Sequence, residues 1–186
     1  MKHSSIRQKG IGFQQKICEI LCNRYDLKTI PLSKKSAGKG IYARENEPGD
    51  LLVKGSSKDG GDIIPISEKA KSVWPFVVEA KSVKRTTDTA SLLSGKDCLF
   101  RGWIEQAEAN SLDLVAIVIF KINNSSPIVI FQCQKPDVTT LNNEIPYNYL
   151  ILRLDDKVYT MMALSDFLDA IDKIRNEEQE SKVSAL

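Results

Sequence analysis

An acid and a base stand two residues apart at the end of an apolar run, and this constrains the fold most. Val73 to Ala80 reads VWPFVVEA, and Lys81 follows it. Side chains alternate across a β-strand, so Glu79 and Lys81 share one face while Phe76, Val78 and Ala80 share the other. A shorter run, Ile63 to Ile66, precedes it and is opened by Asp62 after Gly60-Gly61. Ionised groups on an otherwise apolar strand are costly unless something polar sits between them. The least costly resident is a hard divalent cation shared by Asp62 and Glu79, with Lys81 facing a phosphate. The plain alternative is a turn aspartate followed by an exposed strand face. Ser67 to Ser72 joins the two runs, and its Ser-Glu-Lys-Ala is expected to begin one helical turn. Pro75 falls at the start of the second strand, where a missing N–H is tolerated.

The rest of the chain supplies a sheet and helices to cover it. Phe13, Ile17, Ile20 and Leu21 form an amphipathic stripe, so a helix is expected over roughly 11–25. Residues 27–58 read as a long connection, with short strands possible at 41–43 and 51–53. A second helix is expected over 98–110, where Leu99, Trp103, Gln106 and Asn110 share a face and Trp103 packs on the sheet. Leu114 to Phe120 is a continuous apolar run rich in Val and Ile, the pattern of a strand buried on both faces. Lys121 ends it, either as a phosphate contact or as a simple strand-end charge. Residues 128–131 and 149–154 are further strands, and Asp155-Asp156-Lys157 turns the chain into 158–163. Ser165 is expected to cap a last helix carrying Phe167, Leu168, Ile171 and Ile174. One domain over 1–175 follows, with 176–186 as a charged, frayed tail.

Composition narrows the chemistry by exclusion. His3 is the only histidine, which rules out histidine triads and two-histidine metal sites. The four cysteines, at 18, 22, 98 and 133, read as small buried thiols rather than disulfides or a zinc site. Charge is uneven: residues 1–60 hold 12 Lys/Arg against 6 Asp/Glu, and residues 61–186 hold 14 against 18. The basic first third includes Lys34, Lys35, Lys39 and Lys58, compatible with phosphate contacts around a cleft or with a solvated loop. Ser56 and Ser57, just before Gly60-Gly61, would let a phosphodiester approach the backbone closely. No apolar run approaches the ~20 residues that span a bilayer, and the start, MKHSSIRQKG, has no signal-peptide stretch. A cytoplasmic location is expected.

Taken in order, these pieces resemble the PD-(D/E)XK nuclease superfamily, and more narrowly small phage-encoded Holliday junction resolvase-like endonucleases. The resemblance rests on Lys9-Gly10 with Phe13-Gln14, Ser56-Ser57 with Gly60-Gly61-Asp62, and Ser67 to Ala70. It continues through Trp74-Pro75, Glu79-Ala80-Lys81-Ser82, Trp103 with Gln106 to Asn110, Phe120-Lys121 and Leu164 to Leu168. It implies an α/β fold with a mixed central β-sheet flanked by helices, a restriction-endonuclease-like core. It implies Mg²⁺ (or Mn²⁺) held by Asp62, Glu79 and the carbonyl of Ala80, with Lys81 positioning the attacking water. The family carries a glutamine on the second helix, here Gln106, and a carboxylate or amide on the first, here Gln14. Many relatives have Glu at that first-helix position, so Gln14 departs from the pattern, and Glu19 is the competing acid.

The function expected is divalent-metal-dependent hydrolysis of DNA, selective for a branched junction, by a homodimer with two sites. The alternatives are a restriction- or homing-type cutter of duplex DNA, reading bases through insertions at 28–55 and 132–148, and a non-catalytic DNA-binding protein on the same fold.

Overall fold

The computed structural model describes residues 3–30, 49–53, 62–83, 99–109, 111, 113–123, 125–132 and 148–184. Eight strands form one mixed sheet among them. These are β1 (Thr29–Ile30), β2 (Leu51–Val53), β3 (Ile63–Pro65), β4 (Phe76–Val83), β5 (Val115–Ile122), β6 (Ile128–Gln132), β7 (Tyr149–Leu154) and β8 (Lys157–Ala163). Their order across the sheet is β1-β2-β3-β4-β5-β6-β8-β7. The β1–β2 and β4–β5 pairs are parallel and the other five antiparallel. The helices are α1 (His3–Tyr25), α2 (Glu68–Val73), α3 (Leu99–Ala109) and α4 (Leu164–Ser184). The architecture is the α/β class expected, a mixed central sheet flanked by helices.

Alternation along the central strands creates two cores. Phe76, Val78 and Ala80 of β4 and Ile117 and Ile119 of β5 face one side, against Phe13, Ile17 and Leu21 of α1 and Phe167 of α4. Phe167 is fully buried, with its ring 5.4 Å from Phe76 and 5.0 Å from Phe131. Val118 and Phe120 face the other side, against Phe100, Trp103, Ile104 and Ala107 of α3. The run read as buried on both faces is thus covered by a helix layer on each.

Several local expectations shift. α1 begins at His3, well before the apolar stripe that signals it, because polar residues extend a helix that tertiary packing has already fixed. β4 starts after Pro75 and continues to Val83, since its parallel pairing with β5 runs on to Ile122. Ser67 does cap the short helix between the strands, its hydroxyl accepting from the Ala70 N–H at 2.9 Å. The face read on α3 is corrected: Leu99 is exposed, and Phe100, Trp103, Ile104 and Ala107 are buried. Ser165 is a correction too. It lies inside α4, which starts at Leu164, and its hydroxyl bonds to Asp166 instead of capping. α4 runs to Ser184, into the stretch read above as a tail. No helix among the described residues is long and apolar enough to cross a membrane.

Candidate active site

The register of two antiparallel strands brings the acids together. Ile63 pairs with Val78. One step outward, Asp62 stands across from Glu79. Two main-chain contacts fix this rim: the Asp62 N–H donates to the Val78 carbonyl at 2.8 Å, and the Ala80 N–H donates to Asp62 Oδ2 at 2.8 Å. The first residue of the shorter apolar run is therefore clamped by the backbone of the longer one.

Glu79 is only 2% exposed, although it is an acid. Its face of β4 is the α3 side, because its neighbours on the other face pack with α1. Lys81 Nζ donates to Glu79 Oε1 at 2.5 Å and to the side-chain oxygen of Gln106 at 3.0 Å. Gln106 sits just outside the buried stripe of α3, exposed yet within reach of the sheet. Thus Lys81 is held from two elements, β4 and α3. Gln14 reaches the same place from α1. It is 8% exposed, and its side chain hydrogen-bonds Asp62. Asp62 directly precedes the first residue of β3, and a side chain from the α1 layer meets it there.

The electrostatics are those of carboxylates placed at a cost. Burial pushes the Asp62 carboxyl above its usual value, against the opposing effect of the Ala80 N–H, Gln14 and Lys81. Burial also raises Glu79, and the Asp62 charge raises it further, while Lys81 works in the other direction. Two acids held upward by desolvation, Glu79 also by the Asp62 charge, would be relieved by positive charge brought between them.

Not every residue singled out in the sequence joins this cluster. Glu19 is exposed on α1, which leaves Gln14 as the first-helix residue that touches Asp62. Lys121 lies inside β5 and on the opposite face from Lys81, with its ammonium 5.2 Å from the centre of the Phe13 ring, a cation–π contact. Phe13 is buried in the α1 core, and its neighbour Gln14, which touches Asp62, puts this lysine beside the site. Ser56, Ser57, Lys58, Lys34, Lys35 and Lys39 lie outside the described residues, as do most of 28–55 and 132–148.

Sequence reading also missed a second polar cluster under α3. Glu108 accepts from Lys157 Nζ at 2.6 Å and from the Tyr159 hydroxyl at 3.0 Å. Arg101, two turns earlier on α3, pairs with Asp155 in the β7–β8 turn at 2.5 Å. These partners are about fifty residues apart in the chain, so no local pattern signals them.

Comparison with known proteins gives one finding. Residues 5–180 match the family model described as "Phage putative PDDEXK endonuclease". No curated protein and no solved structure matches.

Proposed function

Because the chain belongs to the phage PD-(D/E)XK endonuclease family, we propose that Asp62, Glu79 and Lys81 are its catalytic centre and that it hydrolyses DNA with Mg²⁺ or Mn²⁺. The leading substrate is a four-way junction, met in the host cytoplasm. The observation that carries the reading is the convergence of two desolvated carboxyls and an ammonium at the rim between β3 and β4.

The donor set suits a hard cation. Among the described residues there is no group of three or more His, Cys, Asp or Glu side chains that could hold a metal. Mg²⁺ does not need one, because it is commonly held by one or two carboxylates with water and substrate phosphate completing the shell. Asp62, Glu79 and the Ala80 carbonyl would hold the ion, which when bound neutralises charge on the phosphoryl group and lowers the pKa of a water.

The chain's own groups do the rest. Lys81 Nζ has three donors. Two go to Glu79 and Gln106, and the third is directed at a phosphoryl oxygen or the attacking water. Gln106 fixes the direction of that ammonium. Gln14 and the Ala80 N–H fix the Asp62 carboxylate in one orientation, leaving its other lone pairs for ligation. Lys121, held over Phe13, contacts a flanking phosphate, and Ser56, Ser57, Lys58, Lys34, Lys35 and Lys39 contribute further phosphate contacts. Two strands must be cut at a junction, so the active form is a homodimer.

The test is cleavage of a labelled four-way junction and of linear duplex in Mg²⁺. Paired cuts in the junction with the duplex intact are expected. Cutting of duplex at one sequence would move the substrate to the restriction or homing class. Binding without cleavage in both Mg²⁺ and Mn²⁺ would overturn the catalytic reading.

A further inference from the structure

The two edges of the sheet are built differently. β1, at one edge, is two residues long. β7, at the other, has six residues, YLILRL, and pairs only with β8 among the described strands. Natural sheets protect an edge by keeping it short, charging it, breaking it with proline or covering it. β7 has no proline and one charge, Arg153.

Neither helix layer covers its first half. Leu152 and Leu154 reach the core under α3. Leu150, on the same face, is 64% exposed. On the opposite face Tyr149 is 42% exposed, Ile151 58%, and Arg153 is exposed as well. Among the described residues, both faces of this first half and the outer edge of the strand are left uncovered and form one mainly apolar rim. A contiguous patch on the order of a few hundred Å² marks an interaction site rather than ordinary surface scatter.

We propose that β7 is where a second copy of this chain docks, strand against strand and antiparallel. Three features favour a copy of itself over another occupant. An open strand edge offers a ladder of main-chain donors and acceptors, which only another strand satisfies throughout. A twofold axis makes an antiparallel edge pair self-complementary, so one patch serves both sides. Charge permits it: a twofold antiparallel pair centres on a residue, and centring on Ile151 sets it against its own copy, with Leu150 against Leu152 and Tyr149 against Arg153 of the second copy. The two Arg153 side chains then lie four residues apart along the ladder, roughly 13 Å, beyond the screening length at physiological salt. The consequence for cleavage rests on the nuclease reading above: two centres joined in one assembly make paired incisions.

The test compares wild type with Leu150→Arg and Ile151→Asp, changes on opposite faces of β7, by light scattering at micromolar concentration. Wild type is expected at twice the 20.8 kDa chain mass. Each variant is expected at the single mass, with its melting temperature kept to within a few degrees. A monomeric wild type, its edge covered by its own residues 133–147 or awaiting a different protein, would overturn the proposal. So would a dimer that persists in both variants. Hydrogen exchange on wild type decides the matter even if the variants fail to fold. Protection across β7 that is lost on dilution is expected, and protection independent of concentration contradicts it. On a junction, the monomeric variants are expected to nick one strand while losing paired cuts. A wild type that dimerises through β7 but cuts no DNA would sink the nuclease reading and leave the surface standing.

Discussion

Two glutamate–lysine pairs lie under α3, and they behave in opposite ways. Glu79–Lys81 at 2.5 Å and Glu108–Lys157 at 2.6 Å are nearly identical in length. Each pair has a further hydrogen-bonding partner: Gln106 on Lys81 in the first, the Tyr159 hydroxyl on Glu108 in the second. The difference lies in what surrounds the acid. Glu108 is a quarter exposed and accepts from two donors, one ammonium and one phenol. Glu79 is buried and faces a second carboxylate, so its carboxyl is pushed upward despite its lysine. Burial and the Glu108 charge likewise push the Tyr159 phenol above its usual range, so that it remains a hydrogen-bond donor. A satisfied pair is a strut that ties α3 to β8. A pair with a second buried acid beside it fits the proposed site, and that distinction is a better guide to a site than residue type is.

The largest expected effect separates the two glutamates by activity. Glu79→Gln should slow cleavage about a thousandfold or more while leaving DNA affinity nearly unchanged, as for loss of a group that acts only in the transition state. Glu108→Gln should stay within a few-fold of wild type. Cleavage assays at saturating protein, with binding measured in parallel, check both.

Gln106→Ala should cost about 10–100-fold in cleavage, the usual range for a group that orients a site residue. Its effect should fall on kcat rather than on affinity. An unchanged kcat would remove Gln106 from the positioning of Lys81.

Stability should reverse the ranking. Glu108→Ala leaves the nearly buried Tyr159 hydroxyl without its acceptor, and urea unfolding should show a loss of about 1–3 kcal/mol. The lysine contributes little of this, because Lys157 is substantially exposed. Glu79→Gln in metal-free protein should instead raise the unfolding free energy, since it removes a charge that the folded state disfavours. A fall for both variants would erase the distinction between strut and site.

The smallest effect is on pH dependence. The carboxyls of Asp62 and Glu79 are raised in the folded state, so their contribution to stability is fully present below the ordinary carboxyl range near pH 4. It is lost as pH rises through their elevated values. Metal-free protein should therefore gain from this pair on mild acidification, and the gain should vanish in Asp62→Asn/Glu79→Gln. Cleavage should move the opposite way, declining on acidification at a pH above that of ordinary carboxylates, because ligation needs both charges.

The same contrast explains what the sequence reveals. The spacing Glu79-x-Lys81 is local, and alternation alone assigns the faces that the cores confirm. The α1 stripe is equally legible, with Phe13, Ile17 and Leu21 all buried. Gln14 against Glu19 is a matter of helical phase. Gln14 lies next to Phe13 on the buried side and Glu19 does not, a signal available in the stripe itself. The reading of α3 mistook its phase because two sets of residues flank Trp103, and the set with Phe100, Ile104 and Ala107 buries more apolar surface. Long-range pairing stays hidden. The step that sets Asp62 across from Glu79 depends on the Ile63–Val78 register, the Lys121–Phe13 contact on how α1 packs against β5, and the Glu108 strut on partners about fifty residues away.

The most direct measurement is a single-turnover cleavage assay on a four-way junction in Mg²⁺, wild type beside Glu79→Ala, each at protein concentrations that saturate the DNA. Cutting by wild type, with none by the variant that binds equally well, is what the Asp62–Glu79–Lys81 centre predicts. Equal cutting by Glu79→Ala would contradict it.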